Sequence, residues 1–515
     1  MNHNAQWMAF GAKTPQREKC HRYNGVREAQ RLPRPYVIDE AEMKQFSTEG
    51  MVIIVGIVIA YILFTTWLTW RLRSKNTGDF MAGSRAMPAF IVGVMLMSEY
   101  IGAKSTIGTA QAAFEDGFAA SWSVIGAAIG FPLFGMLLVK RIYNTGKITI
   151  SGAIAERYGN STKNIISLIM IYALLLVNVG NYVSGAAAIS TVLNLNLTTA
   201  AFITAVVSTF YFVFGGMKGI AWVTLLHSGL KYIGIMVILG VALHMTGGVS
   251  PMIKQMPHFY WTWDGNVGAS TIFAWLIGTI GSIFCTQFVI QAIASTKNAA
   301  SAKRATWVAF FFCMPIAIAI ALIGVAAKFL HPDIKSLYAL PVFLQDMSPW
   351  LAGIVTTSLV ASIFVSVSTV ALAIASLVVK DFYVPYRNPT PEREFRMTRW
   401  LSLVIGFLPL IFVLFVPEVL KLSFFTRAIR LSISVVAIIA FYLPFFKSTR
   451  GANAGLIAAC VVTSVWYLLG DPFGINNMYV ALLTPAIVMV IDRLIPSRQT
   501  QDKNAPKRTM QNSGA

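Results

Sequence analysis

The run MLMSEYIGAKSTIGTAQAAFEDGFA, residues 95–119, sets a carboxylate, Glu99, and an ammonium, Lys104, inside an otherwise apolar stretch. A helix needs about 20 apolar residues to cross the hydrocarbon core of a bilayer, and residues 87–113 supply them. At that depth an ionisable group costs about 3 kcal/mol or more unless it is paired or wetted. The five-residue spacing puts Glu99 and Lys104 on different faces of an unbroken helix, which disfavours a simple pair. Gly102 and Gly108 lie among the hydroxyls of Ser98, Ser105, Thr106 and Thr109. That mixture lets a membrane helix unwind and free carbonyls that only a cavity or an ion can satisfy. The bland alternative is a structural Glu99–Lys104 pair, with the glycines packing neighbouring helices.

Outward from this run, the whole 515-residue chain reads the same way: 56% of its residues are hydrophobic and 12% charged. Soluble domains carry roughly 25% charged residues, so a water-soluble enzyme is excluded. Thirteen apolar segments follow one another at about 51–70, 87–113, 120–139, 164–190, 198–214, 219–245, 268–296, 305–327, 351–379, 399–416, 425–446, 452–470 and 476–495. Lipid offers the backbone no partners, so each is expected to be a helix, and the runs are too long and too continuously apolar for barrel strands. The fold expected is an all-α polytopic membrane protein.

The net charge of +20 comes from loop cations rather than from a basic domain, so nucleic acid is not the expected partner. Lys140, Arg141, Lys147, Arg157 and Lys163, then Lys380, Arg387, Arg393, Arg396 and Arg399, crowd the odd-numbered loops, while the even ones hold only Lys254, Lys328, Lys335, Lys421 and Arg427. By the positive-inside rule the odd loops and the C-terminus are cytoplasmic and the N-terminus is outside. Residues 1–50 conflict with this, because they carry Arg17, Lys19, Arg22, Arg27, Arg31 and Arg34 on the side expected to be poor in cations. A start at Met43 removes the conflict; a disordered extension is the other reading. Cys20, Cys285, Cys313 and Cys460 form no metal-ligand spacing.

A counterpart to the first run occurs five spans later. GTIGSIFCTQFVIQAIASTKN, residues 278–298, interrupts its apolar course with Gly278, Thr279, Gly281, Ser282, Thr286 and Gln287. Two Gly-interrupted polar helices at matching places point to inverted five-helix repeats with a solute site between them. The ninth span bears a hydroxyl stripe, Ser362, Ser366 and Thr369 with Ser368 alongside, whose hard oxygens suit an alkali cation or simply bond back to helix carbonyls. Asn178 and Asn181 line a cavity or hold two helices together. Lys231, sharing a face with His227, is expected to snorkel, and Arg430 to turn to the interface. No Ser/His/Asp order, HExxH pattern or Walker loop is present, so no enzymatic activity is expected.

GDFMAGSRAMP at 78–88, SGAIAERYG at 151–159, FGGMKGIAWVTLLHSG at 214–229, QFVIQAIASTKNAASAKRA at 287–305 and VVKDFYVPY at 378–386 together resemble the sodium:solute symporter family, which includes sodium/glucose, sodium/proline and pantothenate carriers. The likeness covers roughly residues 75–445. It implies repeats at 87–246 and 247–450, a flanking helix within 51–86, and two flanking helices and a tail in 451–515. It also implies a sodium place formed by Ser98 and Ile101 in the second span with Ser362 and Ser366 in the ninth. One of the family's hydroxyl ligands falls on Val365, and its usual acid in the fifth core helix falls on Thr224. Solute contacts map to Ser105, Thr279 and Ser282, and Glu99, Lys104 and Gln287 join them as candidates.

The expected function is symport of a small organic solute by alternating access in the cytoplasmic (inner) membrane, coupled to sodium. No cofactor and no obligate protein partner are expected. A proton-coupled carrier working through Lys104, a facilitator, and a sensor that binds without transport are the alternatives. Lys104 beside Ser105 would select a carboxylate.

Overall fold

The computed structural model describes residues 46–72, 85–193, 195–212, 216–415 and 419–495, so the expectation about Met43 lies outside the described residues. Fifteen helices of eight residues or more carry the argument. They are α1 Thr48–Arg71, α2 Ala89–Tyr100, α3 Ala103–Asp116, α4 Trp122–Leu137, α5 Ile150–Leu193, α6 Leu197–Phe212, α7 Gly216–Thr246, α8 Gly268–Cys285, α9 Gln287–Ala294, α10 Ala299–Leu330, α11 Pro349–Leu377, α12 Pro391–Phe407, α13 Val419–Tyr442, α14 Thr449–Leu468 and α15 Asn477–Leu494. Each satisfies its own backbone, as an apolar surrounding requires.

Among the described residues, 11 helices are long and apolar enough to cross a membrane, or 12 when the bent pair α2–α3 counts as one span. The sequence count was thirteen. The difference is the segment at 198–214, whose helix α6 has only 16 residues and falls short of a full span.

Both Gly-rich polar runs break their helices. α2 ends at Tyr100 and α3 starts after Gly102, whose extended backbone (φ −87°, ψ −176°) turns the chain by 48°. α8 and α9 part at Thr286, where ψ is 121°. α5 turns sharply at Gly159, whose φ of 82° lies where a side chain would be strained.

α11 forms the buried axis, enclosed by protein along nearly its whole length, whereas α1 and α15 are mostly uncovered. It packs on α7, α5 and α1, while α10 packs on α2 and α4, and α8 on α4 and α13. The outer faces of α1, α14 and α15 expose large apolar side chains such as Leu63, Trp70, Val461 and Leu483, as lipid-facing surfaces do.

Candidate functional site

At the first break the chain loses helical N–H partners for several carbonyls, and each oxygen has to be met by something else. Tyr100 O accepts from the Ser105 hydroxyl at 2.6 Å. Ser98 O and Ile101 O are met by Lys231 of α7, whose Nζ donates to them at 3.1 and 2.7 Å and also reaches Ser98 Oγ at 2.9 Å. Lys231 is 1% exposed, so it does not snorkel. The sequence reading failed because α7 presents this residue to α2 rather than to the bilayer surface.

α11 closes the other side. Its Ser366 hydroxyl donates to Ser362 O at 2.9 Å and lies so close to Gly102 that a Cβ there would overlap it. The Ser362 hydroxyl is buried without a partner among the described residues. Ser98, Ile101 and Ser366 thus gather at the break, with Ser362 one turn along α11, and a lysine ammonium stands on the two carbonyls. Thr224 is buried in α7.

Glu99 and Lys104 sit either side of the break, each 8% exposed. The electrostatic neighbours of Glu99 are Lys104, Arg430, Lys231 and Arg427. Both arginines come from α13, and the sequence had assigned them to an outer loop and to the interface. They are instead 1% and 3% exposed. Arg427 donates to Thr279 Oγ1 at 2.8 Å and Ser123 O at 3.1 Å, and its guanidinium lies 5.2 Å from the ring centre of Tyr100 and 4.7 Å from that of Phe424. Arg430 donates to Thr286 Oγ1 at 2.8 Å and to Thr426 O at 3.1 Å.

Of the other sequence candidates, Ser282 donates to Thr279 O at 2.9 Å and meets Tyr100 OH at 3.0 Å, so α8 and α2 are joined at the level of the break. Gln287 is spent elsewhere. It donates to Ile148 O at 2.8 Å and accepts from Ile150 N at 3.1 Å, which uses both ends of its amide on the backbone before α5. Asn178 and Asn181 bond each other at 3.1 Å, leaving Asn178 Nδ2 and Asn181 Oδ1 buried without a partner among the described residues. Between them in sequence, Gly180 packs on the Lys104 stem.

The two ends of this region differ. At the α3/α13 end a cavity of about 750 Å³ opens between Gln111, Glu115, Asp116, Trp275, Lys421 and Phe424. Its floor is the stacked Trp275–Phe424 pair, 4.7 Å between ring centres, directly above Arg427. At the opposite end Gln287 ties α9 to α5. There Asp381 accepts from Ser167 at 2.6 Å, from Thr149 at 3.2 Å and from Ser151. No role was expected for Asp381, which follows Lys380 just past the apolar segment at 351–379.

Comparison with known proteins gives the family. A model of the sodium:solute symporter family matches residues 80–459. The high affinity choline transporter 1 of Homo sapiens is 20% identical over 68% of this chain and 64% of its own length. The sodium/proline symporter of Escherichia coli (strain K12) is 21% identical over 82% of this chain and 88% of its own. A solved Na+-coupled sialic acid symporter, described as substrate-bound and outward-open, superposes with a TM-score of 0.75 at 16% identity over 88% of this chain and 99% of that one. The chain is a multi-pass membrane transporter, not an enzyme, and belongs to the sodium:solute symporter family.

Proposed function

We propose that this chain carries a small carboxylate-bearing organic solute across the cytoplasmic membrane by alternating access, driven by a cation gradient. The observation that carries the reading is the buried charge balance. Lys104, Lys231, Arg427 and Arg430 are all buried around the two helix breaks, where Glu99 is the one buried carboxylate among the described residues. Charges in a low-dielectric interior need partners, so such an excess of cations calls for an anion. A carboxylate beside Lys104 and the α13 arginines supplies it, and the orphaned amide atoms of Asn178 and Asn181 offer a donor and an acceptor to the rest of the solute. Sialic acid and proline, the solutes in two relatives' names, both carry carboxylates. Choline, a cation, does not suit this cluster.

With the cation-rich loops facing the cytoplasm, the vestibule above Trp275 and Phe424 opens outward and the Gln287–Asp381 end is the closed inner gate. Uptake of labelled carboxylates, their amides and neutral sugars into proteoliposomes tests the proposal. Accumulation of carboxylates alone, under an imposed sodium or pH gradient, is the expected result. Equilibration without accumulation would make the protein a facilitator, binding without flux a sensor, and equal uptake of the neutral analogues would refute the anion site.

A further inference from the structure

A helix opened at Ile101–Gly102 leaves carbonyl oxygens that a dry interior cannot leave unmet. The family resemblance would put sodium there. In this chain the oxygens at that place already serve an ammonium, which holds Ser98 O, Ser98 Oγ and Ile101 O at 2.7–3.1 Å. Two cations cannot share those oxygens without strong mutual repulsion. The rest of the surroundings would hold a free ion only weakly. Val365 stands where a hydroxyl ligand would be, and Thr224 contributes no negative charge. A cation tethered to α7 needs none of these ligands, because its stem fixes its place.

We propose that Lys231 is a built-in cation that takes the place of the coupling sodium at the α2–α3 break, so that holding this break and binding solute beside it do not require sodium. In a carrier with a free ion at this point, loss of the ion would release the break. Here the ammonium stays with the chain, and the pairing of α2 with α7 is the same at any sodium concentration. The transport consequence rests on the carrier reading above, whereas occupancy of the break does not.

Two measurements on the purified full-length protein keep these apart. The first is thermal unfolding in detergent with sodium chloride or N-methylglucamine chloride at equal ionic strength. The wild type is expected to unfold at the same temperature in both salts. Lys231→Ala, which empties the place and restores room for an ion, is expected to gain about 3 °C or more in sodium alone. The second is carboxylate uptake by wild-type proteoliposomes, expected to change less than about twofold when sodium is replaced on both sides, since only a ligand that distinguishes two states can shift them. A sodium response of the wild type in either measurement overturns the proposal, as does a folded Lys231→Ala that gains none. If Lys231→Ala does not fold, the wild-type salt comparison decides alone. Absence of any uptake would sink the carrier reading while leaving the unfolding result to decide what fills the break.

Discussion

The two helix breaks occupy corresponding places, one opening each five-helix half expected from the sequence, yet they are held differently. The α8–α9 break keeps helical bonds on both sides of Thr286, from its N–H to Ser282 O at 3.0 Å and from Ile290 N to its own carbonyl at 3.2 Å. The Thr286 hydroxyl then donates to Ser282 O at 2.6 Å and accepts from Arg430 at 2.8 Å. The α2–α3 break keeps flanking bonds too, from Ile101 N to Met97 O at 2.8 Å and from Thr106 N to Gly102 O at 3.0 Å, but it is two residues long and turns the Ser98 and Ile101 carbonyls to Lys231. Each break is thus held by a cation from the last helix of its own half, α7 for the first and α13 for the second. Where little backbone is freed, a hydroxyl can mediate; where two carbonyls are freed, a full charge acts on them directly.

This contrast predicts a ranking of effects. Removing the charge from the open break should cost most: Lys231→Met is expected to lower stability by about 3 kcal/mol, because it strands buried polar groups. A thermal melt in sodium-free detergent measures it, and a loss no larger than that of Arg430→Gln would erase the contrast. Arg430→Gln should cost about 2 kcal/mol, removing one charged hydrogen bond to the closed break. It should also weaken carboxylate binding, which Lys231→Met should affect less, and titration of the solute separates the two. Gly102→Ala forces a Cβ onto Ser366 and should cost about 2 kcal/mol. Adding Ser366→Ala should recover much of that loss, a coupling that a double-mutant cycle reads directly. Smallest, Thr286→Val removes the mediating hydroxyl and should cost about 1 kcal/mol. A larger loss would mean that the second break depends on its cation as strongly as the first.

The position of the first break was legible because Gly102 between Glu99 and Lys104 contradicts an ordinary membrane helix. The second was legible from Gly278, Gly281 and Thr286. Gln287 misled, since a polar residue at the foot of a broken helix serves equally well as a solute contact or as a clamp on a neighbouring backbone. Arg427 and Arg430 were misread because they stand near the start of the apolar segment at 425–446, where a cation in sequence looks ready to reach water, whereas α13 already begins at Val419. α8 and α4 cover that turn instead, and Thr279, Thr286 and Ser123 accept their protons.

A bundle of membrane helices, two breaks at glycine-rich polar runs and charge stored at the first of them can all be read from the chain before it folds. Those properties follow from composition along one strand of chain: apolar length, ionisable residues at depth and glycine beside hydroxyls. Only the tertiary structure decided that Lys231, about 130 residues from Ile101, supplies the cation for that break and that Arg430 does the same for the other. Lipid and helix neighbours are equally apolar, so a membrane helix carries no reliable sign of which face meets protein. The partner of a buried charge is fixed only when the helices are packed.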